Sequence, residues 1–151
     1  MSSDSDGYVF TWGFDSHSLV CAPLRLPSPA THMFPHRHSG LLALPCEDFA
    51  LRIIDMGALA TATAGGAVVR TFRGARNAIS DVAWSGDARW VVFAVLDGGV
   101  KLYDVPSARC IDWMVFERPC VSLAFSPGGE FLATAHVGEL GISLWAKQSV
   151  Y

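Results

Sequence analysis

The chain has 151 residues, 51% of them hydrophobic and 17% charged, with a net charge of −3 and a pI of about 5.9. This length suits one domain. The slightly acidic balance gives no electrostatic reason to expect nucleic acid or an anionic membrane surface as a direct partner.

Cysteine usage and the absence of targeting patterns predict a soluble intracellular protein. None of the four cysteines forms a C-x-x-C pair, which argues against a disulfide framework or a zinc site and favours a reducing compartment. The polar, acidic start lacks the basic and apolar regions of a secretory signal. The longest strongly apolar run, Trp90 to Leu96, is too short to span a bilayer, so no membrane partner is expected.

Four short strand-like segments end in an aromatic or branched residue at nearly equal intervals. In chain order the closing residues are Trp12, Ile54, Tyr103 and Trp145, separated by 42, 49 and 42 positions. An aspartate lies six residues before three of them: Asp6, Asp48 and Asp97. A period of about 40–45 residues with four strands per unit is typical of WD-repeat β-propeller blades. In such a blade the aspartate opens a tight turn by accepting backbone hydrogen bonds, and the closing residue packs between blades.

The spacing also predicts the boundaries of the units. Residues 1–30 hold the end of a partial blade, 31–76 a blade, 77–117 a blade, and 118–151 the inner three strands of another. The longer interval is assigned to a flexible Ala/Thr/Gly-rich insertion at residues 58–67. Outer fourth strands are predicted at Val68–Phe72 and Cys110–Phe116, and the chain is predicted to begin inside a third strand.

The predicted fold class is therefore all-β, a partial WD-repeat β-propeller of about three and a half blades. Propellers close with about four to eight blades, so this number leaves two apolar blade faces uncovered. We expect the chain to be a piece of a longer protein, since a start one turn before Tyr8 is typical of an incomplete gene model.

Several stretches resemble one particular WD-repeat family. They include an I-D-W in an outer strand (Ile111 to Trp113), the L-A-T-A-H-V block at Leu132–Val137, and the following G-I-x-L-W at Gly141–Trp145. The match extends upstream through Asp48–Asp55 and covers most of residues 6–151. This pattern is similar to that of the U-three-protein-twenty-one family, known in animals as WD-repeat protein thirty-six.

The resemblance implies a non-enzymatic scaffold subunit of the small-subunit processome, within its UTP-B module. Members act in the nucleolus, inside the nucleus, in pre-ribosomal RNA processing and small ribosomal subunit biogenesis. The implied partners are other UTP-B subunits and processome proteins, with pre-rRNA and the U-three small nucleolar RNA possible within the particle. No cofactor and no small-molecule ligand are implied.

The sequence departs from the common WD pattern in three places. Gly74-Ala75 replaces the usual Gly-His, Gly138 stands where a turn aspartate is expected, and Ala146 follows Trp145. The structural tetrad of Asp, His, Ser/Thr and Trp is therefore incomplete in every unit, which predicts less rigid blades.

Candidate sites are few. The spacing of His32, His36 and His38 fits no structural zinc pattern, so solvated histidines are the better interpretation. His136, at the end of an apolar strand, is predicted to be a buried hydrogen-bonding histidine. Arg70, Arg73 and Arg76 form the only basic cluster, with Arg52 as a candidate neighbour. They are candidates for contact with RNA phosphate or an acidic partner, although a solvated blade edge is the simpler interpretation.

The remaining patterns favour no enzyme. The aspartates fall at turns and strand ends, and the glycine-rich turns join two strands rather than a strand and a helix. Exposed aromatics at Trp90, Trp113 and Phe116 are candidates either for packing between blades or for a protein interface. A generic WD-repeat adaptor, such as a ubiquitin-ligase substrate receptor or a signalling scaffold, stays open as the alternative function, since the fold hosts many functions. A truncated product without function is a third possibility.

Overall fold

A computed structural model describes residues 1–19, 23–58 and 67–146, and these residues form fourteen β-strands in four antiparallel sheets. The first sheet contains β1 (Ser2–Ser3), β2 (Tyr8–Phe10) and β3 (Leu24–Arg25). The second contains β4 (Phe34–Pro35), β5 (Leu41–Pro45), β6 (Leu51–Asp55) and β7 (Val68–Phe72). The all-β prediction is confirmed.

The other two sheets follow in the chain. The third contains β8 (Ile79–Trp84), β9 (Trp90–Val95), β10 (Gly99–Asp104) and β11 (Arg109–Val115). The fourth contains β12 (Cys120–Phe125), β13 (Phe131–His136) and β14 (Ile142–Ala146). In every sheet each strand pairs with its neighbours in the chain, so the topology is a series of meanders.

Two expectations about chain segments change with the structure. The chain does not begin inside a third strand, because Ser2 and Ser3 pair with Phe10 and Val9 in a short preceding strand. Two serines provide no alternation of apolar side chains from which a strand could be predicted, but backbone pairing does not require such alternation. The predicted insertion at 58–67 falls mostly on residues 59–66, which lie outside the described residues.

The chain divides into two compact units, residues 1–74 and 75–151. In the first unit, Val9 and Leu24 of the first sheet form a buried cluster with side chains of the second sheet, among them Leu42, Leu44 and Ile54. Leu42 and Leu44 alternate along β5 and so lie on one face of the sheet, and the buried Ala43 and Pro45 show that its other face is covered as well. Burial of each leucine, isoleucine or valine side chain contributes about 1.5–3 kcal/mol to folding.

In the second unit the third and fourth sheets pack face to face. Val92, Ala94 and Val100 of the third sheet form a buried cluster with Cys120, Leu123 and Leu132 of the fourth. Polar contacts fix the same interface: the Asp81 carboxylate accepts the Leu123 N–H at 2.7 Å, and the Ser80 hydroxyl donates to the Cys120 carbonyl at 2.7 Å. The two sheets are therefore joined by both apolar packing and directed hydrogen bonds.

The opposite face of the fourth sheet is open in this structure. Ile142 and Leu144 of β14 are 71% and 70% exposed, and they lie opposite Ala135 and Ala133 of β13. The equivalent face of the third sheet is the one that packs against the fourth sheet. Among the described residues, no helix is long and apolar enough to cross a membrane.

Candidate functional site

The turn between the second and third strands of a unit is built around an aspartate, as predicted, in two sheets. Asp48 Oδ1 accepts the Ala50 N–H at 3.2 Å, and Asp97 Oδ1 accepts the Gly99 N–H at 2.9 Å. In the first sheet Asp4 takes this role: its Oδ1 accepts the N–H groups of Asp6 and Tyr8, both at 3.0 Å. The assignment to Asp6 therefore needs correction: Asp6 holds the position of Asp48 in a turn of the same length, but the Tyr8 N–H, which corresponds to the Ala50 N–H, donates to Asp4 instead.

Asp48 has a second function that its position in the repeat does not reveal. Both of its carboxylate oxygens accept from the Arg52 guanidinium, at 2.9 and 2.7 Å, in a bidentate pair. The Arg52 side chain is 2% exposed and that of Asp48 33% exposed. The hydrogen bonds from Arg52 lower the pKa of Asp48, and those to Asp48 raise the pKa of Arg52. Arg52 is thus a fully buried cation whose main partner is the Asp48 carboxylate, with Cys46 as a further hydrogen-bond partner.

Aspartates at the ends of β6 and β10 open the turns that lead to the outer strands. Asp55 Oδ1 accepts the N–H of Gly57 at 2.9 Å. Asp104 Oδ2 accepts the Ser107 hydroxyl at 2.5 Å, and its Oδ1 accepts Arg89 Nε at 3.0 Å. The Ser107 hydroxyl and then Arg89 lower the pKa of Asp104 to about 2. These carboxylates organise turns, in agreement with the turn chemistry expected for them.

A chain of hydrogen bonds crosses the fourth sheet from the closing residue Trp145. Trp145 Nε1 donates to Thr134 Oγ1 at 3.0 Å, and Thr134 Oγ1 lies 2.9 Å from His136 Nε2. His136 Nδ1 is 3.0 Å from the Arg118 carbonyl oxygen. Because a carbonyl only accepts, Nδ1 carries the proton and Nε2 accepts from the threonine hydroxyl. The prediction of a buried, hydrogen-bonded His136 is confirmed.

These hydrogen bonds explain how the fourth sheet holds Trp145 in place without the usual turn aspartate. A backbone carbonyl, that of Arg118, takes the last acceptor position. Phe116 covers the arrangement, with its ring centroid 4.5 Å from that of His136 and 5.5 Å from that of Trp145. The participation of Thr134 was not recognised from the sequence, although a threonine two residues before His136 on the same strand face was a usable signal.

Replacing Thr134 by valine should destabilise the protein by roughly 1–3 kcal/mol. Thr134 is 1% exposed, and valine keeps the shape while leaving the Trp145 N–H and His136 Nε2 without their buried partner. The measurement is a urea unfolding curve, in which the midpoint should fall. Thr134→Ser retains the hydroxyl and should lose clearly less stability. Equal losses of stability in the two variants would contradict a role for the hydroxyl.

The other closing residues differ in burial. Ile54 is fully buried, and Tyr103 stacks on Phe93 with ring centroids 5.7 Å apart and an interplanar angle of 3°. Burial raises the pKa of Tyr103. Trp12 is 47% exposed and donates from Nε1 to the Ser2 hydroxyl at 2.9 Å. The packing of Trp12 between blades thus stays a prediction.

One of the three clustered histidines is buried. His36 is 9% exposed, and its Nδ1 accepts the Ser39 N–H at 3.1 Å, so it stabilises a turn rather than facing solvent as expected. In the described ranges, no group of three or more His, Cys, Asp or Glu is arranged to hold a metal ion.

The three arginines of the predicted basic cluster differ in their surroundings. Arg70 donates to its neighbouring carbonyl at Val69, and Arg73 and Arg76 are exposed. Arg70 and Arg73 belong to the first unit and Arg76 to the second, so their grouping stays a prediction.

The clearest candidate interaction surface lies on β11, the outermost strand of the third sheet. Ile111, Trp113 and Val115 are 50%, 63% and 70% exposed, and we call these three side chains the β11 patch. The structure separates the aromatics that the sequence left open: Phe116 packs on His136 and Trp145, whereas Trp113 lies at the surface. Ile111 and Val115 were missed, although their alternation with Trp113 along a predicted outer strand was readable.

Comparison with known proteins identifies the family of this architecture. Residues 1–151 match the model of the WDR36/Utp21 second beta-propeller domain. The chain belongs to the WDR36/Utp21 family. The family model also confirms the prediction of a WD-repeat β-propeller and the resemblance found in the sequence.

Relatives in three organisms match over the whole chain. It is 34% identical to human WD repeat-containing protein 36 and 34% identical to the U3 small nucleolar RNA-associated protein 21 homolog of Schizosaccharomyces pombe, and it covers 16% of each. It is 33% identical to U3 small nucleolar RNA-associated protein 21 of Saccharomyces cerevisiae, covering 15%. The chain therefore spans about a sixth of the length of these relatives.

Proposed function

We propose that the chain acts as part of a non-enzymatic scaffold subunit of the small-subunit processome, in pre-rRNA processing and small ribosomal subunit biogenesis. The single observation that carries this proposal is the match of all 151 residues to a domain of a family whose yeast members are named U3 small nucleolar RNA-associated proteins. The nucleolus, within the nucleus, is the location that follows from such an association.

The geometry supports a role in binding rather than chemistry. The aspartates at turns and strand ends accept structural hydrogen bonds, and the histidine of the fourth sheet belongs to the Trp145 chain. Sheets with apolar and charged side chains on their outer strands are suited to protein contacts. We place the contacts to other UTP-B subunits and processome proteins first, and a contact to pre-rRNA or U3 RNA through Arg70, Arg73 and Arg76 second.

Affinity purification of the endogenous full-length protein tests the proposal. We expect recovery of other UTP-B subunits by mass spectrometry together with U3 small nucleolar RNA by hybridisation. An unrelated tagged WD-repeat protein from the same cells is the control. Recovery of ubiquitin-ligase or signalling partners in their place would refute the proposal and favour the generic adaptor.

The secondary RNA contact has its own test within the same purification. Arg73→Glu in the full-length protein should lower the yield of ultraviolet crosslinks to RNA. Unchanged crosslinking and unchanged partner recovery would remove the arginine cluster from the proposal.

A further inference from the structure

The β11 patch exposes more apolar surface than its strand needs. Six of the seven residues of β11 are exposed, and three of them are the large apolar side chains of Ile111, Trp113 and Val115. Trp113 and Val115, opposite Lys101 and Gly99, project to the same side of the strand, while Ile111 is the extra residue where the pairing of β10 with β11 shifts. Trp113 is in addition among the residue types most enriched at the centres of protein interfaces.

The second sheet provides an internal comparison, because its outer strand has the same register. The pairing of β6 with β7 shifts between Ile53 and Ile54, and that of β10 with β11 shifts at the equivalent place, between Leu102 and Tyr103. With Ile54 aligned on Tyr103, Thr71 opposite Arg52 is the equivalent of Trp113 opposite Lys101. Arg73, two residues further along, is the equivalent of Val115.

Polar residues at these two positions are therefore compatible with the formation of the sheet. Thr71 and Arg73 are exposed, as are Trp113 and Val115. Since the sheet forms with threonine and arginine in one unit, its stability does not account for tryptophan and valine in the next. Exposed apolar side chains without a role in folding indicate a binding surface.

The edge of β11 is protected at the centre of the patch. The Trp113 backbone N–H donates to the Asp112 carboxylate at 2.8 Å. A partner that added a strand here would have to displace this charged acceptor, which is one way in which edge strands resist pairing. Contact through the side chains of the patch is thus favoured over strand addition.

The charge next to the patch indicates what the partner carries. Lys101 Nζ lies 5.3 Å from the centroid of the Trp113 ring, on the strand directly beside it. An ammonium group held over an indole ring and beside apolar side chains is suited to a carboxylate of a partner. Asp112 lies within β11 and Glu117 follows it, whereas Arg109 and Arg118 lie at its two ends, so the charges along the strand balance and give RNA no basic stripe to bind.

We propose that the β11 patch and Lys101 form a docking surface for an extended apolar segment of another protein, with an acidic side chain of that segment opposite Lys101. Trp113 anchors the segment, and Ile111 and Val115 contact apolar side chains on either side. The presence of this partner in the processome rests on the proposed function, whereas the surface itself does not.

Site-directed photocrosslinking in cells tests the docking surface. p-Benzoylphenylalanine is incorporated in place of Ile111 in the full-length protein, which leaves Trp113 intact, and the crosslinked peptide is identified by mass spectrometry. We expect a peptide of another protein that contains both apolar and acidic residues. Trp113→Thr and Val115→Arg, which install the residues of the second sheet, and Lys101→Glu should each lower the yield at least tenfold.

The controls separate this proposal from folding and from the proposed function. The same probe in place of Thr71 should give no such peptide, and the unfolding midpoints of the Trp113→Thr and Val115→Arg variants should stay close to that of the parent. A crosslink to RNA, no crosslink, or a crosslink insensitive to the three variants would overturn the docking surface. Copurification of U3 RNA is scored separately: its absence refutes the proposed function, while a variant-sensitive protein crosslink would still support the surface.

Discussion

Asp48→Ala should lower the free energy of unfolding by about 3 kcal/mol. The substitution leaves the Arg52 guanidinium, whose side chain is 2% exposed, without the carboxylate that accepts two of its hydrogen bonds. Removing one partner of a buried ion pair costs about 3–5 kcal/mol because the other charge stays desolvated. We expect the lower end, since the Asp48 carboxylate is itself 33% exposed. Denaturant unfolding of the parent and variant chains measures the difference.

A double variant distinguishes the stranded charge from the lost turn. Asp48→Ala with Arg52→Met replaces the cation by an apolar chain of similar length, and it should recover most of the stability. The second ion pair of the described chain serves as a control, because the Asp104 carboxylate left behind without Arg89 keeps the N–H and the hydroxyl of Ser107 as donors. Arg89→Ala should therefore change the midpoint several-fold less. A double variant as unstable as Asp48→Ala alone would assign the loss to the turn instead.

Gly98→Ala should cost about 3 kcal/mol through backbone strain and overlap together. Gly98 has φ +99°, and a Cβ at this position would overlap the carbonyl oxygen of Phe116. Positive φ costs a residue with a Cβ roughly 1–2 kcal/mol, and forced overlap adds about 1–3 kcal/mol. Phe116 cannot move away freely, because its own N–H donates to the Gly98 carbonyl oxygen at 2.9 Å. Unfolding curves and the loss of that amide's exchange protection are the measurements.

Gly129 is the matched control for this prediction. Its φ is +75°, yet a Cβ there would meet no atom within 4 Å. Gly129→Ala should thus show the strain alone, roughly 1 kcal/mol. If the two alanine variants lost the same stability, overlap with Phe116 would have no energetic role at Gly98.

The repeat predicted most of the fold because it rests on local signals. Alternating apolar residues bounded by Gly, Pro and Asp marked β8 at Ile79–Trp84 and β13 at Phe131–His136 with the bounds that the structure has. The strand β1 was missed, since Ser2 and Ser3 pair through backbone groups that no side-chain pattern reveals. The spacing of six residues selects Asp6, and it does not reveal that the Asp4 carboxylate accepts the N–H groups of this turn instead.

The candidate surface could be predicted only in part from the sequence. A strand pattern gives the alternation of Ile111, Trp113 and Val115, but not which face is covered. That depends on contacts between sheets, as for Phe116, which lies only three residues beyond Trp113 and packs on His136. The burial of Arg52 is a similar case: an arginine within an apolar strand is interpretable only once its partner Asp48 is seen four residues earlier.

The chain-order pairing within every sheet has a consequence for how the molecule reaches its native state. Most strands meet their partner after a loop of a few residues, although the connections from β2 to β3 and from β6 to β7 are longer. Little loop-closure entropy is therefore lost before most of the first contacts form. Each meander is then able to assemble as soon as its residues leave the ribosome, in the order of synthesis. We expect the slow step to be the docking of completed sheets, which in the second unit buries Val92 and Val100 against Leu123 and Leu132. Substitutions at this interface should act mainly on that late step, while those in the turns should act on the early one.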